Sequence, residues 1–232
     1  MTGVQFGIIF DTASNVGVMG VGFATAAAGT TFLDQIFSQG LINSRSYSLY
    51  LNDIDAQSGS ILFGGVDTEK FTGTLSTFPM NRNETGTASA FIITLTGLSI
   101  SLPNGPTIGL GSSNFYPMNV VLDVVPALMV LPESITLALA DAVGATYSVN
   151  SSLYVLPDCS KRSAKGSLNF YFSGVKISVP YDQLIVTTTL DSGAEGCILG
   201  VMPAISNYMV FTLGDPFLRA AYVVFDLVRS NP

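Results

Sequence analysis

Short β-prone runs separated by turn residues constrain the fold of this chain more than any other feature. Each run is rich in Val, Ile, Leu, Thr, Tyr and Phe and is bounded by Gly, Asn, Asp or Ser, a pattern typical of strands in antiparallel sheets. The runs are SYSLYL, GSILFGG, FIITLTGLSISL, SLNFYF, VKISVPY, LIVTTTL and AAYVVFDL. No period of about 20 to 50 residues recurs, which excludes a solenoid or a propeller. The sequence therefore predicts an all-β protein.

Two segments have the apolar spacing and the end signals of short helices. In TTFLDQIFSQGL, Thr31 and Asp34 can form a capping box, and Gly40 can end the helix. In PESITLALADAVGA, Pro132 suits the first turn and Gly144 suits the end. We expect both segments to be helical within the β framework.

The chain contains no histidine, which excludes Ser/His and Cys/His catalysis and the commonest zinc sites. Any proton chemistry therefore falls to carboxylates. The formal net charge is −7, and nine Lys and Arg residues scattered along the chain cannot form a basic stripe. We expect no nucleic-acid partner and no anionic membrane surface as a partner.

Cys159 and Cys197 lie far apart without CxxC spacing. A single structural disulfide explains them better than a metal site or a redox pair, and it implies an oxidising compartment. Two sequons, Asn83-Glu84-Thr85 and Asn150-Ser151-Ser152, fit an exported glycoprotein. The opening residues MTGVQFGIIF lack a basic segment, and no uncharged apolar run reaches about 18 residues. We predict neither a signal peptide nor a membrane span in this chain.

The longest polar segment is MNRNETGTAS at residues 80–89, which separates two β-rich halves. We place a domain boundary there, with one unit at 1–80 and the other at 81–232.

Five segments, read in order, resemble pepsin-like aspartic proteases, especially those secreted by fungi. They are VGVMGVGF (16–23), TFLDQIFSQGLINSRSYSLYLND (31–53), GSILFGGVDTEKFTGTL (59–75), VVLDVVPALMVLP (120–132), and CILG with TLGDPFLRAAYVVFD (197–200 and 212–226). The resemblance implies a bilobal β fold with a few short helices, secretion or a cell-surface location, and a peptide or protein substrate. It implies no metal and no cofactor, and we expect a monomer.

In this family each lobe supplies one aspartate, on a loop written hydrophobic-hydrophobic-Asp-Thr/Ser-Gly-Thr/Ser. Two carboxylates about 3 Å apart cannot both ionise, so they share a proton: one activates water and the other protonates the scissile carbonyl. The resemblance places Asp123 at the second-lobe catalytic position. Val124, Val125 and Pro126 replace the hydroxyl residue, the glycine and the second hydroxyl residue. These changes remove a hydroxyl, the backbone freedom of glycine and an N–H donor.

Family members carry their first aspartate loop, and a flap hairpin with a tyrosine, before the segment that matches VQFG. We therefore expect the partner aspartate to be absent here, with residues 1–80 a remnant of the first lobe and residues 81–232 most of the second. Asp11, in IIFDTAS, lies too close to the VMG turn at 18–20 to serve as that aspartate. Asp191-Ser192-Gly193 spells the family tripeptide, but it lies in a polar turn beside Cys197.

Gly20 and Gly214 resemble the glycines that support the two aspartate loops, and Asp215 is expected to be structural. We expect little or no peptide-bond hydrolysis from this chain. Two alternatives remain: a non-catalytic peptide-binding module that uses the rest of the cleft, and an incomplete gene product without a function of its own. A homodimer that brings two copies of Asp123 together is disfavoured by the asymmetry of the two halves.

Overall fold

The structure, a computed structural model, describes residues 3, 18–24, 29–56, 58–82, 88–190, 193–204 and 210–227. This part of the chain is mostly β-sheet with four short α-helices, which confirms the predicted fold class. The helices are α1 (Phe32–Ser38), α2 (Glu133–Val143), α3 (Tyr181–Leu184) and α4 (Asp215–Arg219). The strands are β1 (Ser46–Leu51), β2 (Gly59–Phe63), β3 (Ile92–Leu95), β4 (Gly97–Ser101), β5 (Thr107–Leu110), β6 (Met118–Leu122), β7 (Met129–Leu131), β8 (Thr146–Ser148), β9 (Leu153–Leu156), β10 (Ser167–Phe172), β11 (Val175–Pro180), β12 (Ile185–Thr189), β13 (Glu195–Leu199), β14 (Val201–Pro203), β15 (Thr212–Leu213) and β16 (Val223–Asp226).

These strands form four sheets. Their orders are β16-β1-β2, β11-β10-β4-β5, β12-β13-β9-β8 and β14-β7-β15-β6-β3. Every predicted run contributes at least one strand. The run FIITLTGLSISL contributes two, because the chain changes sheet at Thr96, whose N–H and hydroxyl both donate to the carbonyl of Tyr171.

Both predicted helices are present and begin and end at the expected signals. The hydroxyl of Thr31 accepts from the Asp34 N–H at 3.1 Å, and the Asp34 carboxylate accepts from the Thr31 N–H at 3.2 Å. Helix α2 starts after Pro132 and ends at Gly144, whose φ of 69° is left-handed. Glycine adopts that conformation without the steric cost that a side chain would add.

The core joins the sheets through aromatic and aliphatic side chains. Phe170 and Phe172 of β10 both make edge contacts with Phe217 of α4, at centroid distances of 5.0 and 5.9 Å. The same core includes fully buried residues of β7 and α2, such as Leu131 and Ile135. Helix α4 is therefore packed into the hydrophobic core.

A strand from near each end of the described chain pairs in one sheet. Strand β1 is antiparallel to β16, with Tyr47 opposite Phe225 and their rings stacked at 4.8 Å. Phe91 lies against both rings. This sheet connects residues on both sides of the boundary expected at residue 80, and that boundary stays a prediction.

The predicted disulfide is present between Cys159 and Cys197, with a Cα–Cα distance of 5.5 Å. It ties the 3₁₀ turn Cys159–Ser163 to strand β13. No helix in the described ranges is long and apolar enough to cross a membrane.

Polar side chains hold the segment 52–55, which follows β1, against later parts of the chain. Arg219 donates from Nη1 to the carbonyls of Asn52 and Asp53 at 2.7 and 3.1 Å, and from Nε to Asp215 Oδ2 at 2.9 Å. Gln183 donates to Asp53 Oδ2 at 2.8 Å and accepts from the Ile54 N–H at 3.1 Å. We call this set of contacts the 52–55 clasp. It fixes α4, and with it the residues just before that helix.

Replacing Arg219 with Lys should destabilise the fold by roughly 1–3 kcal/mol, because a lysine ammonium cannot reproduce three hydrogen bonds made by a planar guanidinium. The measurement is guanidinium chloride unfolding of the oxidised chain. The matched control is Lys165→Arg at an exposed position, which should change stability by less than about 0.5 kcal/mol. Equal stability of Arg219→Lys and the parent chain would contradict the role given to the clasp.

Candidate active site

Asp123 lies immediately after strand β6, where the chain leaves the five-stranded sheet. Strand β15 runs between β6 and β7, parallel to the first and antiparallel to the second. The Asp123 N–H donates to the carbonyl of Leu213, the last residue of β15, at 3.3 Å. The loop 123–128 therefore begins and ends on strands that share β15 as their neighbour, which fixes both ends of the loop.

Gly214 lies directly against this loop. A Cβ atom at Gly214 would come within 2.5 Å of the Pro126 carbonyl oxygen and 2.7 Å of the Leu128 carbonyl oxygen. Real Cβ atoms do not approach backbone oxygens so closely, so only glycine allows this packing. The Asp215 N–H adds a hydrogen bond to the Pro126 carbonyl at 3.2 Å. The supporting role expected for Gly214 is thus visible in backbone contacts.

The Asp123 side chain is half-buried, and its Oδ1 accepts from the Val125 N–H at 3.0 Å. Val125 is not among the non-glycine residues with positive φ, so the loop accommodates valine where the family has glycine. The side chains of Val124 and Val125 are 44% and 79% exposed. The loop thus presents one carboxylate flanked by apolar side chains that reach into solvent.

A tyrosine from the first half of the chain lies in the electrostatic surroundings of Asp123. Burial, and secondarily the negative charge of Asp123, raises the pKa of the Tyr47 phenol above its usual value. Tyr47 is 3% exposed and stays a neutral phenol. The sequence motifs did not indicate this residue, because its approach depends on the pairing of β1 with β16.

The sequence also draws attention to Asp11, Asp191 and Gly20. Asp11 and Asp191 lie outside the described residues. The Gly193 N–H donates to the Leu190 carbonyl at 2.8 Å. Gly20 has open space around its Cβ position, in contrast to Gly214.

Asp215 pairs with Arg219 at 2.9 Å within α4. The carboxylate of Asp215 is therefore part of the 52–55 clasp. This contact agrees with the structural role expected for Asp215.

An apolar cavity of about 550 Å³ lies beside the Asp123 loop, and Leu122, the residue before Asp123, forms part of its wall. Its wall includes Leu122 of β6, Phe225 of β16 and Phe78 of the segment before β3. Phe91 and Phe217 also contribute. The described residues contain no group of three or more Asp, Glu or Cys side chains arranged to hold a metal ion.

Comparison with known proteins identifies the family of the chain. Residues 4–231 match the model of the eukaryotic aspartyl protease family. The chain is 39% identical to the probable aspartic-type endopeptidase opsB of Aspergillus oryzae, over 98% of this chain and 48% of that protein. It is 35% identical to aspartic proteinase 3 of Saccharomyces cerevisiae, over 98% of this chain and 41% of that protein. It is 34% identical to candidapepsin of Candida tropicalis, over 96% of this chain and 52% of that protein.

The chain therefore belongs to the eukaryotic aspartyl protease family, and its fold is the corresponding part of a pepsin-like bilobal fold. It spans about half the length of the curated relatives it matches.

Replacing Gly214 with Ala should destabilise the chain by roughly 1–3 kcal/mol, because the added methyl group overlaps two backbone oxygens that cannot rotate away. Guanidinium unfolding gives the free energy, and amide exchange of residues 123–128 reports the local effect. The matched control is Gly109→Ala, which places a methyl group in open space on β5. Unchanged exchange in the loop of Gly214→Ala would contradict the supporting role of Gly214.

Proposed function

We propose that this chain is a homologue of pepsin-like aspartic endopeptidases in which Asp123 occupies the second-lobe catalytic position and hydrolysis is weak or absent. The observation that carries the proposal is the attachment of the Asp123 loop to β15, with Gly214 against it. That packing fixes the end of β6, from which the half-buried carboxylate of Asp123 follows. It is a suitable position for half of a carboxylate pair.

The chemistry of the pair sets what Asp123 could do. With a second carboxylate about 3 Å away, one proton is shared: the ionised member takes a proton from water, and the protonated member donates to the carbonyl oxygen of the peptide bond. A lone aspartate can do only one of these two tasks at a time. Apart from Asp191-Ser192-Gly193, no Asp-Thr/Ser-Gly tripeptide occurs in this sequence.

The residues after Asp123 also weaken a catalytic assignment. Within the described part of the chain, the Val125 N–H is the one donor to the Asp123 carboxylate, and Val124 and Pro126 have no side-chain donor to offer. Donors to a carboxylate favour its ionised form and fix its orientation. Asp123 therefore has less support than the family motif would give it.

We expect the purified, disulfide-bonded chain to cleave an unstructured protein at acidic pH no faster than its Asp123→Ala variant. The measurement is release of a fluorescent peptide over hours, with and without a statine-type inhibitor. Asp191→Asn is the matched control, because Asp191 belongs to the Asp-Ser-Gly tripeptide but is not expected to act in catalysis. Cooperative unfolding of each sample shows that a lack of turnover is not a lack of folding.

Rapid cleavage, far above background, that both Asp123→Ala and the inhibitor abolish would overturn the proposal of weak or absent activity. Failure of the parent chain to unfold cooperatively would instead favour an incomplete gene product.

A second candidate function is peptide binding without turnover. Two observations favour it: the exposed Val124 and Val125 beside Asp123, and the adjoining cavity of about 550 Å³ with its phenylalanine-rich wall. Cavities of this size lined by aromatic groups take up apolar side chains. An extended peptide with large apolar residues fits this surface.

If the chain binds such peptides, Phe78→Ala should weaken binding at least several-fold, because truncation removes part of the cavity wall that packs on Phe172 at 5.6 Å. The affinity is measured by isothermal titration calorimetry with an extended peptide that carries large apolar residues. Phe115→Ala, a partly exposed phenylalanine outside the cavity, is the matched control and should bind as the parent does. Binding that needs Asp123 but not Phe78 would point away from the cavity.

We infer that the protein is exported and works as a monomer that carries carbohydrate. The Cys159–Cys197 disulfide supports an oxidising compartment. The low content of Lys, Arg, Asp and Glu, 11% of residues, suits an exported β protein.

A further inference from the structure

One of the two sequons lies at the tip of a hairpin that the proposed chemistry does not use. Strands β8 and β9 pair from Thr146 opposite Val155 to Ser148 opposite Leu153. The turn between them is residues 149–152, and Asn150 is exposed within it. Ser152, two residues later, has a φ of 57°, which shows a tight turn. The exposed acceptor asparagine and its partly exposed hydroxyl partner thus occupy one surface turn.

We propose that Asn150 is an N-glycosylation site of this protein, with Ser152 as the hydroxyl residue that the modifying enzyme recognises. The inference rests on the proposed export. In the reaction Nδ2 of Asn150 attacks C1 of the first sugar of a lipid-linked oligosaccharide diphosphate. The new N–C1 bond forms as the C1–O bond breaks, the lipid diphosphate leaves, and the amide nitrogen loses one proton.

The position of the hairpin favours modification. Strand β8 is the terminal strand of its sheet, so no further strand pairs with the outer edge of this hairpin within its sheet. A bulky oligosaccharide needs such a surface position because it cannot be buried in the fold. The hairpin belongs to a different sheet from β6, β7 and β15, which hold the Asp123 loop.

The disulfide is a second observation that points to the same compartment. Strand β9 pairs with β13 through Leu156 opposite Cys197, and Cys197 bonds Cys159. The base of the hairpin is therefore covalently anchored by a bond that forms under oxidising conditions. Eukaryotic cells form such bonds and attach N-linked sugars in the same lumen.

The surface around Asn150 also suits a covering group. Val149 is 81% exposed, and Tyr147 is 46% exposed while its ring meets the buried Tyr154 edge-on at 5.2 Å. One side of the Tyr147 ring thus remains in water. A sugar attached three residues away can lie over these two apolar side chains.

The test is expression of the full chain in yeast behind a cleavable secretion leader, in an Asn83→Gln background that removes the other sequon. The parent of this series should carry one glycan, seen as an intact-mass shift that endoglycosidase H removes. Asn150→Gln and Ser152→Ala should each abolish the shift, and Ser152→Thr should retain it. Asn114→Gln, an exposed asparagine outside any sequon, is the matched control and should keep the glycan.

Alkylation of free thiols distinguishes failure of the Asn150 proposal from failure of the proposed function. Oxidised Cys159 and Cys197 show that the chain has entered the lumen, and an unmodified Asn150 in that material would overturn this inference while leaving the proposed function intact. A glycan that persists in Asn150→Gln would also overturn it. Hydrolysis in the peptide assay, whatever the glycan result, bears only on the proposed function.

Discussion

The contact of Gly214 with the Asp123 loop is the constraint on which the site depends. Two carbonyl oxygens of the loop lie where any side chain at position 214 would have to be. This closeness lets β15 fill the space between β6 and β7 and fixes where the carboxylate of Asp123 emerges. Helix α4 continues directly from Gly214. The packing of Phe217 and the hydrogen bonds of Arg219 therefore also help to hold Gly214 in place. The candidate active site is therefore supported from the core and from the segment 52–55 together.

The valine substitutions after Asp123 change the chemistry of the loop more than its shape. Val125 occupies the glycine position without a left-handed backbone, and its N–H still reaches Asp123. The loop has lost hydroxyl groups that could donate to the carboxylate, and it has gained exposed apolar surface. Such a surface is better suited to contacting a peptide than to orienting water. For this reason a binding role accompanies the family assignment as a second candidate.

Local signals in the sequence predicted what depends on local chemistry. Thr31 with Asp34 and Gly144 marked helix ends correctly, and the alternating runs marked strands. Helices α3 and α4 were not predicted, because four or five residues carry too little periodicity to distinguish them from turns. The split at Thr96 was also missed, since a change of sheet is decided by distant partners such as Tyr171. The position of Asp123 came from the family resemblance, whereas its nearness to Tyr47 needed the three-dimensional pairing of β1 with β16.

That pairing has a consequence for how the chain is made. Strand β1 is synthesised well before its partner β16, which lies far along the sequence. At roughly 5 to 20 residues per second, β1 waits on the order of 10 s for that partner. During this interval Tyr47 and the strand edge that later meets β16 have no native neighbour on that side. Contacts between such distant residues also slow folding after release, because a long loop must close before they form.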